Sequence, residues 1–277
     1  MPQDPYRNRD FIPDFDEIMA ETAARSRELA ARVDIRADIP YGPSPRERMD
    51  IIFPQRPVKG APLHVFIHGG YWRSGNKEDH WLVAAPVLAA GGIAATITYD
   101  LMPGTRLGAI IGQVRAAVRH LAALAPQLGA DAARLTVSGH SAGAHLTAYL
   151  AATGPQENAP PDLPGLRGLL LVSGLYDLTE IPDSFLKYEA QMTHAEASAW
   201  SPLTSRHQEG PRRIVMVSEM DTAPFHRQGR QFTALLASQG LESEFRTEAG
   251  LNHLSIVLAL GDPLTPAGRC LASLIEG

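Results

Sequence analysis

The chain has a single cysteine, Cys270, among 277 residues, which excludes a disulfide framework and any zinc site built on cysteine pairs. It lies in a helix-like stretch near the C-terminus and reads as a buried structural thiol. Basic charge is not in excess: 25 Lys and Arg stand against 30 Asp and Glu, a formal net charge of −5. A binder of phosphate backbones needs a basic face, so nucleic acid is not expected as a partner. Long apolar runs are missing as well. The best candidate, Trp81 to Ile97, is broken by Pro86, Gly91 and Gly92 and falls short of the roughly 18 residues that cross a bilayer. The first ten residues carry Asp4, Arg7, Arg9 and Asp10, where a signal peptide needs a basic end and then an apolar run. The expectation is a soluble, cytoplasmic protein with no membrane partner.

Other motifs are absent in turn. There is no H-E-x-x-H, no phosphate loop and no dinucleotide fingerprint, and the pairs His64/His68 and His140/His145 sit in strand and turn settings that point their side chains apart. No metal and no cofactor are expected. Neither a repeat nor a linker rich in Pro, Gly or Ser divides the chain. With 44 % hydrophobic residues it can bury a large core. One domain over 1–277 is expected, with a helical extension over 1–32 and a short cap insertion over about 175–211.

What is present is an alternation of short apolar strands and helical stretches. Asp14 to Ala31 reads as a helix, and Val33–Ile39 and Met49–Phe53 as opening strands. Strands are then predicted at Leu63–Ile67, Ile93–Thr98, Leu135–Ser138, Leu169–Ser173, Ile214–Ser218 and Ser243–Thr247. Helices fall near Glu78–Ala90, Leu107–Leu124, from Ala142, near Arg227–Ser238 and from about Thr265. In the 107–124 stretch, Leu107, Ile110, Ile111, Val114, Val118 and Leu121 fall on one face. Leu169-Leu170-Leu171-Val172 is apolar without alternation, as a strand covered on both sides must be. The fold class is therefore α/β, a mostly parallel doubly wound sheet with helices on both faces. On such sheets the polar residues just after strands face the ligand.

Gly139-His140-Ser141-Ala142-Gly143 follows a strand and opens a helix. That is the setting of a nucleophile elbow, where flanking glycines let a strained turn hold a serine hydroxyl above the sheet. His68-Gly69-Gly70-Tyr71-Trp72 ends an earlier strand. Its backbone N–H groups, with that of Ala142, can form an oxyanion hole, while the His68 side chain braces the loop. A serine needs an imidazole to take its proton. In chain order serine, acid, histidine, nine of the ten histidines fall in the wrong place, leaving His253. Asp221, just past strand Ile214–Ser218, is the preferred acid, with Asp177 and Glu219 as rivals. Tyr71, Trp72 and His140 flank these groups and are expected to bind substrate; Ile181, Phe185, Leu186, Tyr188, Met192 and Trp200 can roof a pocket or join the core.

These segments, with Ser173-Gly174-Leu175-Tyr176-Asp177-Leu178, Asp221-Thr222-Ala223-Pro224-Phe225 and Asn252-His253, resemble the α/β-hydrolase superfamily and, within it, the kynurenine formamidase (arylformamidase) and carboxylesterase branch. The resemblance spans the chain from about Leu63 onward; the first 60 residues match only loosely, and the family's D-S-P-x-F appears here as Asp221-Thr222-Ala223-Pro224-Phe225. It implies a triad of Ser141, Asp221 and His253, oxyanion donors from the backbone of Gly70, Tyr71 and Ala142, and a small-molecule ester or formamide substrate. A general short-chain carboxylesterase, a non-catalytic ligand-binding homologue, and a peptidase or long-chain lipase on the same fold are the competing readings. A homo-oligomer stays open.

Overall fold

A computed structural model describes residues 3–56 and 58–277. Helix α1 (Phe15–Ala30) leads into strands β1 (Asp34–Pro40), β2 (Arg48–Phe53) and β3 (Ala61–Ile67). There follow a 3₁₀ turn over Glu78–Val83, α2 (Ala84–Ala89), β4 (Ile93–Ile97), α3 (Leu107–Leu128), β5 (Ala130–His140) and α4 (Ala142–Ala148). The chain continues through β6 (Leu166–Val172), α5 (His194–Ala199), β7 (Arg212–Ser218), α6 (Ala223–Ser238), β8 (Ser243–Glu248), α7 (Ser255–Leu260) and α8 (Pro266–Glu276). One eight-stranded sheet runs β1-β2-β4-β3-β5-β6-β7-β8. β2 is antiparallel to both neighbours, and every pair from β4 to β8 is parallel.

Successive residues of the inner strands feed two separate cores, which is why their sequences do not alternate. On β3, Leu63, Val65 and Ile67 enter the core beneath α3 and α6, whereas Phe66 enters the one beneath α2, α7 and α8. Leu169 and Leu171 of β6 go with the first, Leu170 and Val172 with the second. Burying a side chain of this size stabilises the fold by about 1.5–3 kcal/mol.

Element ends follow local chemistry. α3 runs four residues past its predicted end and stops at Gly129, whose φ of 68° is easy only for a residue without Cβ. α6 starts four residues earlier than predicted because Pro224 occupies its first turn, where a missing N–H costs nothing. β1 is an edge strand with mostly exposed side chains. Among the described residues no helix is long and apolar enough to cross a membrane.

The 175–211 stretch does not form a roof of its own. Ile181, Leu186 and Met192 are buried in the core, Tyr188 is exposed, and Trp200 packs edge-on to Tyr149. Only Phe185 and Glu189 of this stretch reach the cavity described below.

Candidate active site

β5 delivers Ser141 at its carboxyl end, with φ 55° and ψ −120°. A non-glycine residue in such a conformation stores about 1–3 kcal/mol of strain, held here by the hydrogen bond from Ser141 N–H to Val172 O at 2.8 Å and by tight packing. A Cβ on Gly139 would fall 2.2 Å from the carbonyl oxygen of Gly143, and one on Gly143 only 2.0 Å from that of Ile67. Both glycines are thus required for α4 to sit directly on β3 and β5.

His253, in the loop between β8 and α7, faces this serine. The Ser141 hydroxyl donates to its Nε2 at 3.0 Å, and its Nδ1–H donates to Asp221 Oδ1 at 2.6 Å. Asp221 Oδ2 accepts the hydroxyl of Ser173 at 2.6 Å and the N–H of Ser218 at 2.8 Å. Burial of Asp221 opposes ionisation, but His253 and these two donors outweigh it and hold the carboxyl below the usual carboxylate range. The imidazole is flanked by Phe225 and His140, with ring centroids at 4.5 and 4.8 Å. His140 Nε2–H donates to the His253 carbonyl at 2.7 Å, which fixes the loop that carries it.

The rival acids are committed elsewhere. Asp177 Oδ1 accepts from the N–H and hydroxyl of Thr179, and Glu219 Oε2 accepts from Gly250 N–H at 2.7 Å. Ser173 and Ser218 are partners that sequence reasoning missed, although both stand at strand ends, where polar residues face the site.

The glycine loop closes the other side. A Cβ on Gly69 would lie 3.0 Å from the Ser141 Cβ and 2.9 Å from the His140 carbonyl oxygen, so the backbone passes directly beside the serine. Gly70, Tyr71 and Trp72 have φ of 108°, 50° and 58°. Among the described residues, the N–H groups of Gly70, Tyr71 and Ala142 have no acceptor within the chain. His68 braces the loop as expected: its Nδ1–H donates to Gly69 O at 2.7 Å and its ring stacks on Tyr99 at 4.5 Å.

A cavity of about 450 Å³ opens above Ser141 and His253. Tyr71 and His140 line it; Trp72 does not. The expectation for Trp72 is corrected: it is fully buried, its indole N–H donates to His145 Nδ1 at 3.2 Å, and burial pushes that imidazole down to about 4, keeping it a neutral acceptor. With both residues left-handed, Tyr71 faces the cavity while Trp72 faces the core. Much of the remaining wall comes from two parts of the chain to which sequence reasoning gave no such role, the first segment with Arg7, Asn8, Phe15 and Met19 and the stretch after the glycine loop with Arg73, Asn76 and His80. Among the described residues no group of three or more His, Cys, Asp or Glu is placed to hold a metal ion.

A family model described as alpha/beta hydrolase fold matches residues 64–257, and the chain belongs to that family. It is similar to the kynurenine formamidase of Danio rerio, 29 % identical over 81 % of this chain and 76 % of the relative. Esterase LipQ of Mycobacterium tuberculosis is 26 % identical over 90 % of this chain and 68 % of its own length. The solved structure of an esterase from Pyrobaculum calidifontis shares the fold, with a TM-score of 0.71 at 19 % identity over 94 % of this chain and 91 % of that one.

Proposed function

We propose that the protein is a serine hydrolase that cleaves a small acyl ester or aryl formamide. The observation that carries this reading is the line from Ser141 Oγ through His253 to Asp221, with bonds of 3.0 and 2.6 Å, at the floor of a cavity. Ser141 attacks the carbonyl carbon as His253 Nε2 takes its proton, and Asp221 stabilises the imidazolium. The N–H groups of Gly70, Tyr71 and Ala142 receive the oxyanion, each such donor being worth about a hundredfold to a thousandfold in kcat. His253 then protonates the departing alcohol or arylamine, and water repeats the sequence on the acyl-enzyme. No metal or cofactor takes part, the whole chain acts as one domain, and the setting is cytoplasmic.

The cavity supports a compact substrate with an aromatic part. Its volume of about 450 Å³ is toward the small end for ligand sites, and the rings of Tyr71, Phe15 and Phe185 offer flat apolar surface. A formyl or acetyl group is the acyl portion least hindered beside the glycine loop. Similarity to kynurenine formamidases supports an aryl formamide; similarity to esterases supports a general short-chain carboxylesterase as the second reading. Two measurements test this. An organophosphonate should label Ser141, and no labelling would leave a ligand-binding homologue. The kcat/KM should be higher for p-nitrophenyl acetate than for the octanoate and higher for aryl than for alkyl formamides; the reverse order would sink the small-acyl, aromatic-leaving-group reading.

A further inference from the structure

The segment over residues 4–9 is tied to three of the loops that surround the candidate site. The Tyr71 hydroxyl, on the loop after β3, donates to the Tyr6 carbonyl. Tyr6 is 2 % exposed as a residue, and its hydroxyl donates to Glu180 at 2.6 Å and accepts from Gln228 Nε2 at 3.2 Å. Asp4 accepts the N–H of Phe185 at 2.5 Å on the loop after β6. The Thr222 hydroxyl, one residue beyond Asp221, donates to the Pro5 carbonyl at 2.6 Å. A tyrosine so near the start of the chain, buried in the main core and bonded through both its hydroxyl and its carbonyl, is a built joint.

Tyr71 and Trp72 both hold a left-handed backbone that bulky residues avoid, and their anchors differ. Trp72 is fixed by its burial, by its bond to His145 and by Met102 N–H donating to its carbonyl at 2.8 Å. The polar anchor of the Tyr71 side chain is the carbonyl of Tyr6, beside an edge-on contact with Phe185 at 5.4 Å. We propose that residues 4–9 form a strap that positions the oxyanion loop, the Tyr6 carbonyl holding Tyr71 so that its backbone N–H stays aimed at the substrate oxygen. Tyr6 and the Tyr71 hydroxyl are positioning groups, and their role rests on the serine-hydrolase reading above. Without the bond, the Tyr71 backbone relaxes toward the ordinary region, and the donor leaves the place where the negative charge develops.

Tyr71→Phe and Tyr6→Phe test the strap, with p-nitrophenyl acetate as substrate and phenylboronic acid as a tetrahedral mimic. Tyr71→Phe should lower kcat about tenfold with KM within about twofold, and weaken the boronic acid by about the same tenfold factor. Tyr6→Phe keeps the carbonyl but loosens its seat, and should show a smaller loss, about threefold, in the same two quantities. Wild-type kcat and boronic acid affinity in both variants would overturn the proposal, as would a loss confined to KM or to thermal stability. Turnover retained by Ser141→Ala, measured alongside, would instead remove the serine reading itself. Should Tyr71→Phe fail to fold, Tyr6→Phe decides alone by whether kcat and boronic acid affinity fall together.

Discussion

Lowering the pH from about 7.5 to about 5.5 should remove about 5 kcal/mol of folding stability, through histidines that never touch the chemistry. Burial pushes His64 and His68 down to about 3, and His145 and His207 down to about 4. His64 lies between the hydroxyls of Thr136 and Ser138 at 2.8 and 2.7 Å, and His207 Nε2–H donates to Pro202 O at 2.9 Å. With folded values near 3–4 the four stay largely neutral at pH 5.5, whereas in the unfolded chain each titrates near 6.5. Their stabilising effect is complete above the unfolded value and declines as the pH falls below it, until the folded values near 3–4 are reached. Each group contributes about 1–2 kcal/mol over this interval, and the four together are a large share of an ordinary domain stability of about 5–15 kcal/mol. Denaturant melts at the two pH values should show the loss, and unfolding at pH 5.5 should be accompanied by the uptake of about three to four protons at these groups. His64→Gln should reduce that uptake by about one. A denaturation midpoint indifferent to pH, or an uptake below about one proton, would show that these histidines are already charged or solvated in the native state.

Ser141→Ala and His253→Ala should each cost at least about a thousandfold in kcat, and the double variant should be hardly worse, because the pair acts as a unit; additive losses would contradict the assignment. Asp221→Asn should also depress kcat severely, by about ten-thousandfold, since the imidazole loses the partner that fixes its tautomer. Asp177→Asn should leave kcat close to wild type, and the opposite ranking would mean the acid is misplaced. Trp72→Ala should lower stability by about 3–5 kcal/mol from lost core packing, while exposed Tyr188→Ala should stay within about 0.5 kcal/mol; thermal melts would separate them.

The elbow was legible because its chemistry is local: two glycines, a serine and the strand before them fit one turn and hardly any other. His253 and Asp221 were legible because a parallel sheet presents its strand ends in a fixed chain order. The direction of a side chain inside an irregular loop was not. Tyr71 and Trp72 are adjacent and chemically alike, and two successive left-handed residues send one to the cavity and one to the core. Apolar residues in the 175–211 stretch were equally ambiguous, since burial in a roof and burial in a core ask for the same composition. The role of residues 4–9 left no mark at all. The segment is polar, carries no periodicity, and finds its partners as much as 222 positions away, beyond anything spacing can reveal.

That distance has a consequence in time. Thr222 is translated 217 positions after Pro5, whose carbonyl it engages. At the usual pace of synthesis this is a wait of about 10–40 s. Gln228 and His253 emerge later still. During that interval β3 and its glycine loop have already been made, yet Tyr71 lacks the seated strap that restrains it. The glycine loop and the segment that anchors Tyr71 therefore settle into their final contacts only late in synthesis, when stretches 217 and 222 positions apart meet.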